Sequence, residues 1–221
     1  MTLPTKETAT ARERSTDYDD KRRRILEAAA DLFAAHGFGS TSVAMLAEAS
    51  GGSKAWIYHY YPSKEAVLYD LLRSYTDDLL AVVTAADDDA LAPRDRLRAL
   101  IAAILHSYDH AQSRHAAILN DLARLSAEQQ HEIRAAQRQV VDVVARVLAL
   151  VDPRLADRPE VLTPLTMSLF GMLNWHYRWF RSDGPLSRDD YVDMVTGLML
   201  DGLDGVPGLD GWIRERATTS N

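Results

Sequence analysis

The stretch Thr41 to Lys64, TSVAMLAEASGGSKAWIYHYYPSK, reads as two short helices meeting at a glycine corner. Ser42, or Thr41 beside it, can cap the first helix, because a hydroxyl accepts from amides that have no intrahelical partner. Val43, Leu46 and Ala47 supply the inner face of that helix. Met45 stands where a capping box would carry Glu or Gln, so the start is capped without the reciprocal bond. Gly51 and Gly52 can take the positive φ that ends one helix and turns the chain into the next. Ser53 caps the second helix, KAWIYHYY, in which Ile57 faces inward while Lys54, Trp56, Tyr58 and His59 are able to reach outward. Two short helices joined through glycine, the second carrying cations, hydroxyl-bearing rings and an imidazole, have the layout of a DNA-reading helix-turn-helix. The same periodicity also fits an αα-corner with packed aromatics, and the spacing alone leaves both readings open.

SKAWIYHYYPSKEAVL resembles the recognition helix and following segment of the tetracycline-repressor (TetR/AcrR) family of bacterial transcription regulators. That pattern is Ser-Lys, a small residue, Tyr, two aromatics and a polar Ser-Lys. By this resemblance Lys54, Trp56 and His59 stand where the family contacts bases, and Tyr58 and Lys64 where it contacts phosphate oxygens. Ser42 and Ser53 match its backbone-contacting caps. Two positions depart from the pattern: Gly52 replaces an apolar residue that fills the corner, and Trp56 replaces Thr or another small residue. An indole offers one N–H or an apolar face, and cannot complete a bidentate base contact.

Outside this stretch, 221 residues with 47% apolar and 26% charged content suffice for a globular protein that folds without covalent staples. Cysteine is absent, which excludes disulfides, a thiol nucleophile and Cys-based zinc, and fits a reducing cytoplasm. No apolar run reaches membrane-spanning length, and no basic-then-apolar signal layout opens the chain, so a cytoplasmic location without membrane contact is expected. A net charge of −7 is unusual for a DNA binder, since affinity for duplex rests on neutralising phosphates. Its distribution answers this: Lys21 to Arg73 holds seven Lys and Arg against five Asp and Glu, and the acidity lies mostly after Tyr75.

In chain order, residues 1–18 have almost no large apolar groups and read as a flexible arm. Ile25, Ala29, Leu32 and Phe33 mark a supporting helix from Asp19 or Asp20 to Gly37, and by resemblance RRRILEAAADLFAAHGFGSTSV opens the DNA-binding domain, over 19–66, with Phe33 and Phe38 closing its core. The Lys21 to Arg24 cluster reads as a solvated helix start within reach of phosphate. A larger helical domain follows over 67–210, beginning with the stripe Val67, Leu68, Leu71, Leu72, Tyr75, Leu79 and Val83. Ser126 and Gln129 have capping-box spacing, Pro153 stops the helix after it, and Ser187 caps a helix bearing Tyr191, Met194, Val195, Leu198 and Met199. Residues 211–221, with Trp212, form a polar tail. Nothing alternates like a strand, so an all-α protein of about nine or ten helices is expected: a three-helix DNA-binding domain plus a larger helical ligand-binding and dimerisation domain. In the family the last two long helices pack against their copy in a second subunit, and two-fold symmetry doubles a palindromic operator site.

NWHYRWFR, residues 174–181, gathers Trp175, Arg178, Trp179 and Arg181 within two helical turns. Such a set could stack an adenine and pair with phosphates, or equally be core or dimer packing with surface charge. NWHYRWFRSDGPLS resembles the ligand domain of the family's acyl-coenzyme A-responsive branch. That implies a repressor released from its operator by an acyl-CoA or aromatic-acyl-CoA thioester. The alternative is a repressor of an efflux or stress operon answering to an uncharged aromatic or lipophilic ligand, its pocket sought among Tyr108, Leu122 and Met172. A more distant one is a helical interaction protein that binds no DNA. No Ser, His and Asp arrangement supplies a nucleophile with its base, so no enzyme and no cofactor is expected. His106, Asp109, His110 and His115 carry i, i+4 spacing without the zinc-peptidase Glu, so metal binding is not expected either.

Overall fold

The computed structural model describes the backbone of residues 6–181 and 183–205 and the side chains of residues 17–109, 111–181 and 183–202. Helix is the only regular structure among them. The elements are α1 (Lys6–His36), α2 (Val43–Ala49), α3 (Lys54–Tyr60), α4 (Lys64–Ala86), α5 (Pro93–His110), α6 (Gln112–Asp121), α7 (Ala127–Val151), α8 (Pro159–Trp179) and α9 (Arg188–Gly205). Short 3-10 turns at Leu122–Arg124 and Pro153–Leu155 flank α7. The chain divides into two compact units, Met1–Tyr75 with Ala111–Ile133 and Thr76–His110 with Arg134–Asn221.

In the first unit α1 packs against α2 and α6, and α2 against α3. Ile25, Ala29 and Phe33 of α1, Phe38, Leu46 of α2, Ile57 of α3 and Val67, Leu68 and Leu71 of α4 are buried, and the rings of Phe33 and Phe38 lie 5.2 Å apart. The helix starts are made by local chemistry. Ser42 Oγ accepts from the Met45 amide at 3.3 Å, Ser53 Oγ from Trp56 at 3.1 Å and Ser63 Oγ from Ala66 at 3.2 Å. Gly37 ends α1 with φ 76°, its amide bonded to the Phe33 carbonyl at 2.9 Å.

One boundary differs from the sequence reading. Helical backbone runs back to Lys6, well before the start expected at Asp19 or Asp20. KETATARERSTDY is rich in Ala, Glu, Arg and Lys, which favour helix even where no apolar face anchors them. Of the arm expected over 1–18, residues 1–5 lie outside the described residues, as do the tail expected over 211–221 and Trp212.

In the second unit α5 packs against α8 and α9, and α8 against α9. Leu97, Leu100, Ile101 and Leu105 of α5, Val140, Val144 and Val147 of α7, Leu169 and Leu173 of α8, and Val192 and Val195 of α9 are buried. Leu155 anchors a satellite cluster with Val161, Leu162 and Leu165. The acidic run after α4 is structural at its first residue: Asp87, 9% exposed, accepts from Arg96 of α5 and Arg146 of α7, each at 2.5 Å. The bond from Arg96 holds its carboxyl below the usual range. Reciprocal capping boxes form at Ser126 with Gln129, at 3.2 and 3.3 Å, and at Ser187 with Asp190, at 3.0 and 3.1 Å.

Candidate nucleic-acid interface and partner face

α3 is seven residues long and is held by one buried side chain, Ile57. At about 100° per residue, Ala55 and His59 point furthest from Ile57, Tyr58 lies on one flank, and Trp56 and Tyr60 share the other. Lys54, Tyr58 and His59 are exposed, Tyr58 by 55%, and they form an outward surface of one cation, one phenol and one imidazole. Such a helix, presented by α2 across a tight corner, can offer donors both to phosphate oxygens and to base edges.

Trp56 is half-buried, unlike its neighbours. Its ring meets that of Tyr60 edge to face at 5.5 Å, and Tyr60 in turn meets Tyr18 of α1 at 4.7 Å. The corner also corrects the sequence reading: Gly51 takes the positive φ, 73°, whereas Gly52 does not.

Lys64, expected at a phosphate, also holds a loop of its own unit together. Its Nζ donates to the carbonyls of Phe38 at 2.6 Å and Thr41 at 2.7 Å, and sits 4.2 Å from the centroid of the Phe38 ring. Two of its three donors therefore close the loop between α1 and α2, leaving at most one for DNA. Thr41 Oγ1 reinforces that loop with a bond to the Gly37 carbonyl at 2.9 Å.

The Lys21 to Arg24 cluster is partly neutralised within the chain. Lys21 pairs with Asp17 and Arg23 with Asp20, both at 2.6 Å. Arg22 forms a two-pronged pair with Asp70 of α4, which also accepts from the Tyr61 hydroxyl. Burial, then this bond, pushes the Tyr61 phenol well above its ordinary range, so it stays a neutral donor. This Arg22, Asp70 and Tyr61 network ties α1, the end of α3 and α4 together. A separation of 48 residues between Arg22 and Asp70 gives no local sequence signal of it.

In the second unit, α8 and α9 each carry a buried side and an exposed apolar one. Met167, Trp175 and Trp179 of α8 are 52%, 61% and 47% exposed, and Met194 and Leu198 of α9 are 44% and 58% exposed. Arg178 lies 5.4 Å over the Trp175 ring. Trp179 touches His176 at 5.5 Å and Tyr191 at 5.2 Å, both edge to face. Arg181 is already matched by Asp183 two residues on, through bonds of 3.0 and 2.8 Å. The four residues expected as one cluster thus divide: Trp175 and Arg178 form an exposed pair, Trp179 leans on the core and Arg181 is held in a local ion pair.

Beneath this surface His176 is fully buried, stacked between Phe180 at 4.2 Å and Tyr191 at 4.7 Å, with neither ring nitrogen hydrogen-bonded. Burial holds its pKa below the usual imidazole range, against the opposing pull of Asp109. Asp109 itself pairs with Arg188.

The residues expected around an uncharged effector are not gathered in one unit. Tyr108 is buried and donates to Asn174 Oδ1 at 2.8 Å, and Met172 lies on α8 and accepts through its carbonyl from the Tyr191 hydroxyl at 3.2 Å. Leu122 belongs to the other unit. Among the described residues no group of three or more His, Cys, Asp or Glu is arranged to hold a metal. His115 is buried with Nδ1 2.7 Å from the Tyr75 hydroxyl, and the His110 side chain lies outside the described residues.

A short exposed helix set across a glycine corner, ahead of a helical domain, defines the class of helix-turn-helix DNA-binding regulators. Comparison with known proteins makes the class specific. The family described as bacterial regulatory proteins, tetR family, matches residues 25–71. The tetracyclin repressor-like C-terminal domain matches residues 90–203. The chain belongs to the TetR family of DNA-binding transcriptional regulators. It is similar to the HTH-type transcriptional repressor KstR2 of Mycobacterium tuberculosis strain H37Rv, with 26% identity over 84% of this chain and 94% of that one. A TetR-family transcriptional regulator from Bordetella parapertussis has the same fold, with TM-score 0.78 and 34% identity over 84% of this chain and 96% of that one. AibR, solved in complex with isovaleryl coenzyme A and operator DNA, aligns with TM-score 0.69 and 28% identity over 80% of this chain and 97% of AibR. No helix among the described residues is long and apolar enough to cross a membrane.

Proposed function

We propose that this protein is a cytoplasmic repressor that binds a palindromic operator as a homodimer and leaves it when an acyl-coenzyme A thioester binds. The observation that carries the DNA-facing half is α3, where Lys54, Tyr58 and His59 are exposed on a helix whose only buried side chain is Ile57. In this reading Lys54 and His59 approach base edges. Tyr58 donates to phosphate, and Ser42 and Ser53 bring their helix starts to the backbone. Lys64 acts through the loop it closes, with one remaining N–H for a phosphate.

The homodimer reading is supported by the paired exposed faces of α8 and α9. Met167, Trp175, Met194 and Leu198 are apolar groups that a second copy of the same two helices would cover. One α3 reads too few base pairs for operator-grade specificity, and two related by a dyad would lie about 34–36 Å apart in successive major grooves. The effector reading is supported by AibR, which was solved with isovaleryl coenzyme A.

Titration calorimetry with acyl-CoA, free CoA and the free acid, alongside operator release, tests the proposal. Acyl-CoA should bind and release DNA while the free acid does neither. Release by the free acid alone would replace the thioester with a lipophilic effector.

A further inference from the structure

The two departures of the DNA-reading stretch from its family's pattern form one feature in the structure. A Cβ built on Gly52 would lie 2.0 Å from Cε3, 2.7 Å from Cζ3 and 2.8 Å from Cδ2 of Trp56. No real Cβ approaches a ring so closely. These are the three nearest atoms, so the indole occupies the space that any side chain at 52 would need. The backbone does not itself demand glycine there, because the positive φ belongs to Gly51. Glycine at 52 is required by the ring.

The local order fits. Gly52 directly precedes the cap Ser53, where an apolar side chain usually staples the helix start to a residue one turn on. Here there is no side chain to staple, and the indole covers the bare backbone instead. Two groups meet the ring, Gly52 against its Cε3 edge and Tyr60 at 5.5 Å, while the Ser53 hydroxyl fixes the Trp56 backbone amide at 3.1 Å. Covalent geometry places Nε1–H at the corner of the indole opposite Cε3, so the edge directed away from Gly52 carries the one donor.

We propose that Gly52 is a specificity-positioning residue: by leaving room for the Trp56 indole it fixes that ring on the flank of α3, so that Nε1–H donates to one acceptor on a base edge of the operator. This rests on the reading of α3 as the DNA-facing helix. Discrimination from a single N–H is smaller than from a bidentate side chain, at the low end of what one base pair contributes, about 5- to 10-fold. Held loosely, the same indole would read nothing, because a ring free to rotate averages over several acceptors.

Binding-site selection with the full-length wild type, Gly52→Ala, Trp56→Phe and the double variant tests this. Trp56→Phe, which keeps an apolar ring and removes the donor, should lose about 5- to 10-fold preference at one base pair in each half-site. Gly52→Ala should lose the same preference at the same position, because its methyl displaces the ring. The double variant should lose no more than either single one. NMR of the free protein supplies a readout independent of DNA. Gly52 Hα should carry a ring-current shift from the indole it lies against that is lost in Trp56→Ala, and Gly52→Ala should move the Trp56 Nε1–H resonance.

Should Gly52→Ala prevent folding while Gly52→Ala/Trp56→Ala folds, the ring is confirmed as the obstacle. A selected motif unchanged in Gly52→Ala but altered in Trp56→Phe removes the positioning role, and a motif unchanged in Trp56→Phe removes the N–H contact. If the wild type shows no salt-dependent duplex binding, the DNA-facing reading fails first, while the ring-current shift of Gly52 Hα still reports the packing.

Discussion

α3 and α8 are both surface helices, yet they are held and exposed in opposite ways. α3 has seven residues and one buried side chain, and it stays in place through a cap, a glycine corner and polar ties from neighbouring elements. α8 has 21 residues, a buried stripe that includes Thr166, Leu169, Phe170, Leu173 and His176, and an exposed apolar one. What each leaves uncovered differs accordingly: a cation, a phenol and an imidazole on α3, and Met167, Trp175 and Trp179 on α8. A helix that must enter a groove lined by phosphates needs polar tips and a narrow footprint. One that meets another protein needs apolar area.

The largest effect that would break this comparison lies on α8 and α9. Trp175→Ala with Leu198→Ala should weaken self-association by about 4 kcal/mol, if the two behave as central interface residues at about 2 kcal/mol each. Sedimentation would then show monomers at micromolar concentration, with the helical signal unchanged. A dimer that survives both substitutions moves the interface elsewhere.

Next in size is the one anchor of α3. Ile57→Ala should destabilise the first unit by about 3 kcal/mol, since it empties a fully buried site, and operator binding should vanish even though no outward side chain has changed. Chemical denaturation and mobility shift check the two halves separately.

Lys64→Ala sharpens the contrast on the α3 side. With two charge-assisted bonds to carbonyls removed, stability should fall by about 2 kcal/mol, while the slope of duplex affinity against salt changes by at most about one unit per subunit. A full unit of slope lost with stability intact would return Lys64 to the phosphate set.

The smallest effect concerns His176. Its imidazole is held below its unfolded pKa, so the unfolded chain binds more protons as pH falls through the ordinary histidine range of about 6.5, and stability is lost there. His176→Phe, which keeps a ring between Phe180 and Tyr191, should flatten that part of the profile and leave the alkaline side unchanged. Thermal melts from about pH 8 to about pH 5 measure it.

How much of this could be read in advance follows from sequence separation. The caps at Ser42, Ser53, Ser126 and Ser187 were legible because each bond closes within three residues. The class was legible because SKAWIYHYYPSK concentrates its signal in one turn and one helix. The loop contacts of Lys64 were not legible because its partners, Phe38 and Thr41, lie 26 and 23 residues away and are backbone carbonyls, which carry no residue-type signature. The long α1 was missed for another reason: apolar periodicity marks where a helix is buried, not how far good helix formers carry it beyond the core. Gly52 and Trp56 each looked anomalous, and only their i, i+4 spacing hinted that one anomaly accommodates the other. Trp175 and Trp179 were legible as a pair but not in their division of labour, since which side of α8 a ring meets depends on α9. Arg181 with Asp183 could have been found locally, two residues apart.

The central claim, that the outward face of α3 meets DNA in a dimeric regulator, is tested most directly by duplex binding of the wild type and Lys54→Ala across a salt series, on an operator obtained by selection. The expected result is a palindromic motif bound by two subunits with affinity falling linearly in log salt, and in Lys54→Ala a loss of about 1–3 kcal/mol on that motif with preference relaxed at one base pair of each half-site. Binding that selects no motif, or a motif that Lys54→Ala binds as tightly and as selectively as the wild type, would contradict it.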